Sequence, residues 1–190
     1  MNKEIETHPW PPFIPEGAKV LVMGTFPPPR LRWSMDFYYP NRTNDFWKIM
    51  GMIFLGNSHA LLTADGKNFE LDAIKALLIE KKIALNDTGR TVHRLKGNAS
   101  DKFLEILEPV PLFDLLAAMP DCRAIATTGE KAAGVVASLT ATVMPRMGTK
   151  VRYNDRLDIW RMPSTSRAYP LRLEAKAAYY EKMFLDLGIL

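Results

Sequence analysis

Residues 19–24 read KVLVMG, a short apolar run that ends in glycine. Pro15 and Gly17 precede this run, and three prolines follow it at 27–29. An apolar run of this length between turn-forming residues is typical of a strand that is buried on both faces. Similar runs recur at 83–85, 123–127 and 157–162. We therefore predict four buried strands, the first of which ends at Gly24.

Helical patterns occupy much of the chain between these strands, at 44–55, 69–81, 100–108, 111–118, 129–140 and 171–187. In the last of them, apolar residues recur at alternating steps of four and three and form one stripe. Strands that alternate with helices are joined by crossovers, which makes the strands parallel. The predicted fold is a three-layer α/β/α sandwich around a central, mainly parallel four-stranded sheet. A turn at 153–156 allows a short antiparallel strand to precede the fourth.

Length and composition favour a single globular domain over residues 1–190. Of the 190 residues, 47% are hydrophobic, and they are spread along the whole chain. No apolar run is long enough to cross a bilayer, and residues 1–17 are acidic and proline-rich where a secretory signal needs a basic start and an apolar stretch. We expect a cytoplasmic monomer that does not bind membranes.

The cysteine and histidine content argues against a metal centre. With Cys122 as its only cysteine, the chain cannot form an internal disulfide, a Cys₄ zinc site or a cysteine-ligated iron–sulfur cluster. His8, His59 and His93 lack the spacing of metal ligands. We expect no metal and no organic cofactor.

Three polar segments follow the predicted strands, at the sheet edge where open parallel sheets bind ligands. The first contains the turn 24–28, GTFPP, and the stretch 38–48, YYPNRTNDFWK. The second is the strand end NDT at 86–88, and the third is the loop MPSTSRAYP at 162–170. Each segment has an ordinary structural explanation, since asparagine and aspartate cap helices and turns and serine-rich loops are common.

Together these segments resemble, in the same order, the active-site motifs of the uracil-DNA glycosylase superfamily. Its mismatch-specific and thymine-DNA glycosylase branches carry a Gly-x-Asn-Pro-Gly turn, an Asn-x-Phe-Trp-Lys stretch and a Met-Pro-Ser-Ser-Ser loop. Its hypoxanthine-DNA glycosylase branch carries a Tyr-Tyr-x-x-x-x-Asn-x-Phe-Trp stretch. Two positions depart from these patterns. Phe26 replaces the asparagine that positions the attacking water, and Met162 replaces the histidine of the classical uracil enzymes.

The resemblance implies a monofunctional DNA glycosylase that flips a damaged or mismatched base out of double-stranded DNA. Because Phe26 cannot hold water, the resemblance implies that Asn44 is the catalytic residue, as in the hypoxanthine branch. Asp36 and Asp45 are weaker candidates. Tyr39 would stack on the base, and Asn86 would read its edge. The implied base pocket comprises Gly24, Thr25, Phe26, Pro27, Tyr39 and Asn86, and the implied DNA contacts are Ser164, Thr165, Ser166 and Arg167, with Arg167 filling the gap in the helix.

Other interpretations remain open. The chain could be a catalytically silent DNA-binding member of the same fold, or a small-molecule nucleotide hydrolase or binder. The net charge of +4 permits a polyanionic partner but also fits a role in solubility. The basic stretch 90–96 fits a solvated loop or a DNA contact, and the turn 127–131 fits an ordinary helix start or a phosphate site. Uracil and hypoxanthine both remain possible substrates.

Overall fold

The computed structural model describes residues 5–96 and 101–190. Its strands are, in chain order, β1 (Ile5–Thr7), β2 (Val20–Gly24), β3 (Ile83–Asp87), β4 (Gly89–Arg94), β5 (Leu104–Pro109), β6 (Ala124–Thr128), β7 (Thr149–Arg152) and β8 (Asp158–Met162). Its α-helices are α1 (Phe46–Leu55), α2 (Leu71–Glu80), α3 (Leu112–Ala117), α4 (Glu130–Thr140) and α5 (Leu173–Asp186). No helix in these two ranges is long and apolar enough to cross a membrane.

The central sheet has five strands in the order β3-β2-β6-β8-β7. The four predicted strands are parallel to one another. The fifth, β7, pairs antiparallel with β8 through the turn predicted at 153–156, where the N–H of Tyr153 donates to the carbonyl of Leu157 at 2.9 Å. The predicted fold class is therefore confirmed, with one more strand than expected.

Side-chain alternation along the parallel strands builds two hydrophobic cores, one on each face of the sheet. Val20 and Val22 of β2 face the core that α1, α2 and α5 cover. Leu21 and Met23 face the opposite core, which includes residues of α3 and α4. These layers confirm the predicted sandwich and explain why all but one of the residues in the four parallel strands are buried.

A second, antiparallel sheet of β1, β4 and β5 was not predicted. The helix predicted at 100–108 is wrong, because a single 3₁₀ turn at Asp101–Phe103 leads into β5, and residue 100 lies outside the described residues.

The basic stretch 90–96 is mostly strand β4, not a loop. Arg94 donates to both carboxylate oxygens of Glu6, at 2.8 and 3.0 Å, and to the carbonyl of Pro27 at 3.0 Å. Pairing with distant strands, which local pattern does not reveal, decides the structure here.

A buried ion pair joins α1, α5 and the loop after β8. Lys176 lies within α5 and is fully buried, and its Nζ donates to Oδ2 of Asp45 at 2.7 Å and to the carbonyl of Ser166 at 2.8 Å. The backbone N–H of Asp45 donates to the carbonyl of Thr165 at 2.8 Å. Asp45, a weaker catalytic candidate, thus has a structural partner in the folded protein.

We predict that Lys176→Met lowers the free energy of unfolding by about 3–5 kcal/mol, because it removes the buried ammonium at 2.7 Å and leaves the Asp45 carboxylate only the longer, 3.6 Å contact with Lys48. Adding Asp45→Asn should restore part of that loss, since the remaining side chain is neutral. Urea denaturation of the single and double variants measures both effects. Lys182→Ala, an exposed lysine on the same helix, is the control. A Lys176→Met protein as stable as this control would show that the ion pair does not stabilise the fold.

Candidate active site

A cavity of about 720 Å³ lies beyond the carboxyl ends of the parallel strands. Ten residues that the sequence singled out line it: Gly24, Thr25, Phe26, Pro27, Tyr39, Asn44, Ser164, Thr165, Ser166 and Arg167. The polar and charged residues that sequence reasoning did not place there include Arg32, Asp87, Asp101, Lys102 and Thr128. The fold thus brings the first and third segments together around one space, as the strand-end argument requires.

Three polar atoms converge on Gly24 at the end of β2. A Cβ placed on this glycine would lie 2.6 Å from Oδ1 of Asp87, 3.2 Å from the hydroxyl of Tyr39 and 3.6 Å from the hydroxyl of Thr128. The two hydroxyls lie 3.0 Å apart and form a hydrogen bond. Any larger residue at position 24 would displace the carboxylate, so glycine is needed here for close approach.

The Asp87 carboxylate is held by a histidine from the segment between β1 and β2. Nε2–H of His8 donates to Oδ2 of Asp87 at 2.9 Å. Nδ1 of His8 lies 2.9 Å from the carbonyl oxygen of Trp10 and 3.3 Å from its backbone nitrogen. In the protonated ring, Nδ1–H donates to the carbonyl oxygen. In the neutral ring, with its proton on Nε2, Nδ1 accepts from the backbone N–H. The imidazole stacks on Tyr38, with ring centroids 5.6 Å apart, and meets Phe26 edge-on.

Burial lowers the pKa of the His8 imidazole, but the hydrogen bond and negative charge of Asp87 outweigh it. With the added contact to the Trp10 carbonyl, the pKa of His8 lies above its ordinary value of 6.5. The protonated histidine therefore persists to a higher pH beside Asp87 than it would in water.

A second carboxylate, Asp101, lies in the same cavity. Thr25 donates its hydroxyl to Oδ2 of Asp101 at 2.9 Å. Asp101 is an exposed residue, but its carboxyl is partly desolvated by its neighbours, which raises its pKa; the charge of Asp87 raises it further, against the lowering effects of the Thr25 hydrogen bond and the charges of Lys131 and Arg94. Lys131 also donates to the backbone carbonyl of Asp101 at 2.7 Å, so the turn 127–131 contributes a lysine that is already engaged within the protein.

Asn44 lines the cavity and also supports α1. Its Oδ1 accepts a hydrogen bond from the N–H of Phe46, the first residue of the helix, at 2.9 Å. The structural role considered for Asn44 is therefore present. Its amide nitrogen makes no hydrogen bond within residues 5–96 and 101–190, which leaves the donor side of the amide for a ligand or a water molecule.

Asn86 lies apart from the other predicted site residues. It is buried, and its Oδ1 accepts a hydrogen bond from the hydroxyl of Tyr38 at 3.0 Å. The cavity is lined instead by the next residue, Asp87. Because successive side chains of a strand point to opposite faces, a difference of one residue decides which polar group reaches the cavity.

Tyr39 packs inside the site in an uncommon backbone conformation, with φ of 53°. One face of its ring stacks on Phe46, with centroids 3.9 Å apart and an interplanar angle of 20°. Burial, and then the negative charge of Asp87, raise the pKa of the Tyr39 phenol well above 10.0. Tyr39 is therefore a neutral hydrogen-bonding group at physiological pH.

The loop after β8 forms one side of the cavity mouth. Ser164 Oγ accepts from the N–H of Ser166 at 3.2 Å, Thr165 is buried, and Arg167 is exposed. Arg32, Lys102 and Arg167 all line the cavity, and none of them forms an ion pair with another described residue. These three positive charges outnumber the two carboxylates of the same cavity, Asp87 and Asp101, which favours an anionic ligand.

Two further positions lie away from this space. Asp36 is exposed and accepts a hydrogen bond from Nε1 of Trp10 at 2.8 Å, and it does not line the cavity. Met162 is buried in the core between the sheet and helices α1, α2 and α5. A side chain at position 162 therefore serves packing in this protein.

Comparison with known proteins supports the fold. No family model matches the chain, and no curated protein does. Among solved structures, the chain is similar to the solution NMR structure of a "putative Uracil DNA glycosylase" from Methanosarcina acetivorans. The TM-score is 0.64 and the sequence identity is 20%, over 97% of this chain and 99% of that one. At this identity the likeness shows the fold, and it agrees with the predicted fold class.

We predict that Asp87→Asn lowers the pKa of His8, because burial remains while the charge that opposed it is lost. His8 stabilises the wild type fully below about pH 6.5, and this contribution declines as pH rises through its raised folded-state pKa. The stability difference between wild type and Asp87→Asn should therefore shrink with rising pH.

NMR titration of the imidazole resonances, assigned with His8→Gln, measures the pKa, and denaturation at several pH values measures the stability. Asp36→Asn removes a nearby carboxylate that does not contact His8 and serves as the control. An unchanged His8 pKa in Asp87→Asn would contradict the ion pair.

Proposed function

We propose that this protein is a DNA glycosylase that hydrolyses the N-glycosidic bond of a deaminated or mismatched base in double-stranded DNA. The observation that carries the proposal is the cavity at the strand ends, which combines the Asn44 amide and the Asp87 carboxylate inside with three unpaired cations at its mouth. The likeness in fold to a protein described as a "putative Uracil DNA glycosylase" supports it.

A flipped nucleotide fits the size and lining of this cavity. Its volume of about 720 Å³ is in the range of small-ligand sites. Extrusion costs a few kcal/mol, least for a mismatched or damaged pair. Ser164, Ser166 and Arg167 would contact the phosphates and the gap left in the helix. Since Phe46 covers one face of Tyr39, an extruded base would stack on the opposite face.

The reaction needs a water molecule placed against C1′ of the sugar. Because the Asn44 oxygen is engaged by Phe46, its amide N–H would hold the water oxygen. Asp87 would stabilise the cationic sugar as the bond breaks and accept a proton from the water. The water oxygen bonds to C1′, and the electron pair of the broken C–N bond leaves with the base, which the backbone N–H groups of Thr25 and Phe26 would stabilise.

Base recognition would involve the end of β3. Asn86 can read a base edge only by exchanging its hydrogen bond with Tyr38, whereas Asp87 already faces the cavity. We retain Asn86 as a proposed base reader and add Asp87 as a second polar group for this role. Uracil and hypoxanthine are the substrates to test first, in keeping with the thymine and hypoxanthine branches that the sequence resembles.

The test is to incubate the purified protein with labelled duplexes, each carrying one lesion, and to look for alkali-sensitive abasic sites. Cleavage at a deaminated base supports the proposal. Salt-sensitive duplex binding without excision would favour the catalytically silent alternative, and hydrolysis of free nucleotides would favour the small-molecule alternative.

We further propose that residues 1–190 act as one domain, as a monomer, in the cytoplasm.

We predict that Asn44→Ala and Asn44→Ser both slow single-turnover excision by at least about tenfold, equivalent to roughly 1.4 kcal/mol of barrier. Both lack the amide N–H. Serine still offers an oxygen to the start of α1, whereas alanine should cost about 1 kcal/mol of stability. Thermal melts and excision rates on the same preparations separate the two roles.

The serine variant is decisive for the catalytic assignment. A stable Asn44→Ser protein with the wild-type rate would leave Asn44 only its structural role. Loss of rate at unchanged stability would support water positioning.

A further inference from the structure

A leucine stands fully exposed beside the cavity mouth. Leu31 is the middle residue of the 3₁₀ turn Arg30–Arg32, and its exposure, 101% of the reference, is the highest among the large hydrophobic residues described. Single exposed leucines are ordinary on protein surfaces. The support beneath this one and its neighbours are what distinguish it.

Prolines, hydrogen bonds and ring packing fix the turn that carries Leu31. Three prolines precede the turn, at 27–29. The N–H of Arg32 donates to the carbonyl of Pro29 at 2.9 Å, and Nε1 of Trp33 donates to the carbonyl of Pro28 at 2.7 Å. Trp33 in turn packs on Trp10, with ring centroids 4.7 Å apart. The side chain is therefore held away from the protein surface by its backbone, without the freedom of a loose loop.

Positive charge flanks Leu31 at the mouth of the cavity. Arg32 lines the cavity together with Pro27 and Pro28. The Arg30 guanidinium lies over the Trp33 ring, 5.2 Å from its centroid. Arg167, from the loop after β8, lines the same cavity. An apolar tip between two arginines is complementary to a duplex, in which phosphates border an apolar base stack.

We propose that Leu31 is a wedge that enters the base stack of duplex DNA next to the extruded nucleotide, while Arg30 and Arg32 contact the adjacent phosphates. This inference rests on the proposed glycosylase function and assigns duplex opening to the first loop as well as to Arg167. Burial of the leucine in the opened stack offsets the cost of unstacking. A single-stranded substrate has no base pair to break and no duplex gap to hold open, so the wedge contributes nothing to its excision.

The experiment compares Leu31→Ala with wild type in single-turnover excision of the same lesion from duplex and from single-stranded DNA. Excision from the duplex should slow by at least about tenfold, whereas excision from the single strand should be unchanged. Leu31→Met, which keeps an apolar tip, should retain most of the duplex rate. Leu185→Ala is the matched control, since Leu185 is also exposed, does not line the cavity and precedes Asp186, which pairs with Lys150 of the edge strand β7.

The possible results distinguish the two proposals. Wild-type excision with an unimpaired Leu31→Ala on the duplex overturns the wedge and leaves the glycosylase function standing. An equal loss on both substrates also overturns the wedge, because Leu31 would then act on the cavity itself. If the wild type excises no lesion from either substrate, the proposed function fails and the wedge fails with it.

Discussion

The fully buried ammonium of Lys176 is the constraint on which the site depends. It bonds to Asp45, next to Asn44, and to the carbonyl of Ser166, next to Arg167. A buried charge is tolerated only while its partners keep good geometry, because its desolvation cost is otherwise uncompensated. The start of α1 and the loop after β8 therefore cannot separate without exposing or stranding that charge. Two segments more than 100 residues apart in the chain are in this way fixed as facing walls of one cavity.

Much of the fold could be predicted because each of the four parallel strands contains a short apolar run bounded by turn-forming residues, the pattern of strands that are buried on both faces. The second sheet could not. β4 and β5 carry charges such as Arg90, Glu105 and Glu108, and β1 has only three residues. Their pairing is set by distant partners, and no local pattern states which segments will meet. The helix predicted over 100–108 failed for this reason.

The site was predictable where a motif stays contiguous in sequence. The turn at Gly24, the stretch to Asn44 and the loop with Arg167 all line the cavity. Sequence alone did not identify Asp87, which lines the cavity where the neighbouring Asn86 does not, because one residue of strand phase decides which side chain reaches it. Sequence alone also missed His8. This histidine lies 79 residues from Asp87 in sequence, and no motif around it indicates a place in the site.

Phe26, which departs from the motif that the sequence resembles, packs against the histidine that holds Asp87. Its ring packs edge-on against the His8 imidazole, with centroids 5.5 Å apart, and the Arg94 guanidinium lies 5.9 Å from its centroid. A polar side chain at this position could hold water, but it would also bring water to the hydrogen bond between His8 and Asp87. An apolar ring excludes that water, and charges interact more strongly where water is excluded. The phenylalanine at this position therefore strengthens the hydrogen bond between His8 and Asp87, the carboxylate for which we propose a role in stabilising the cationic sugar.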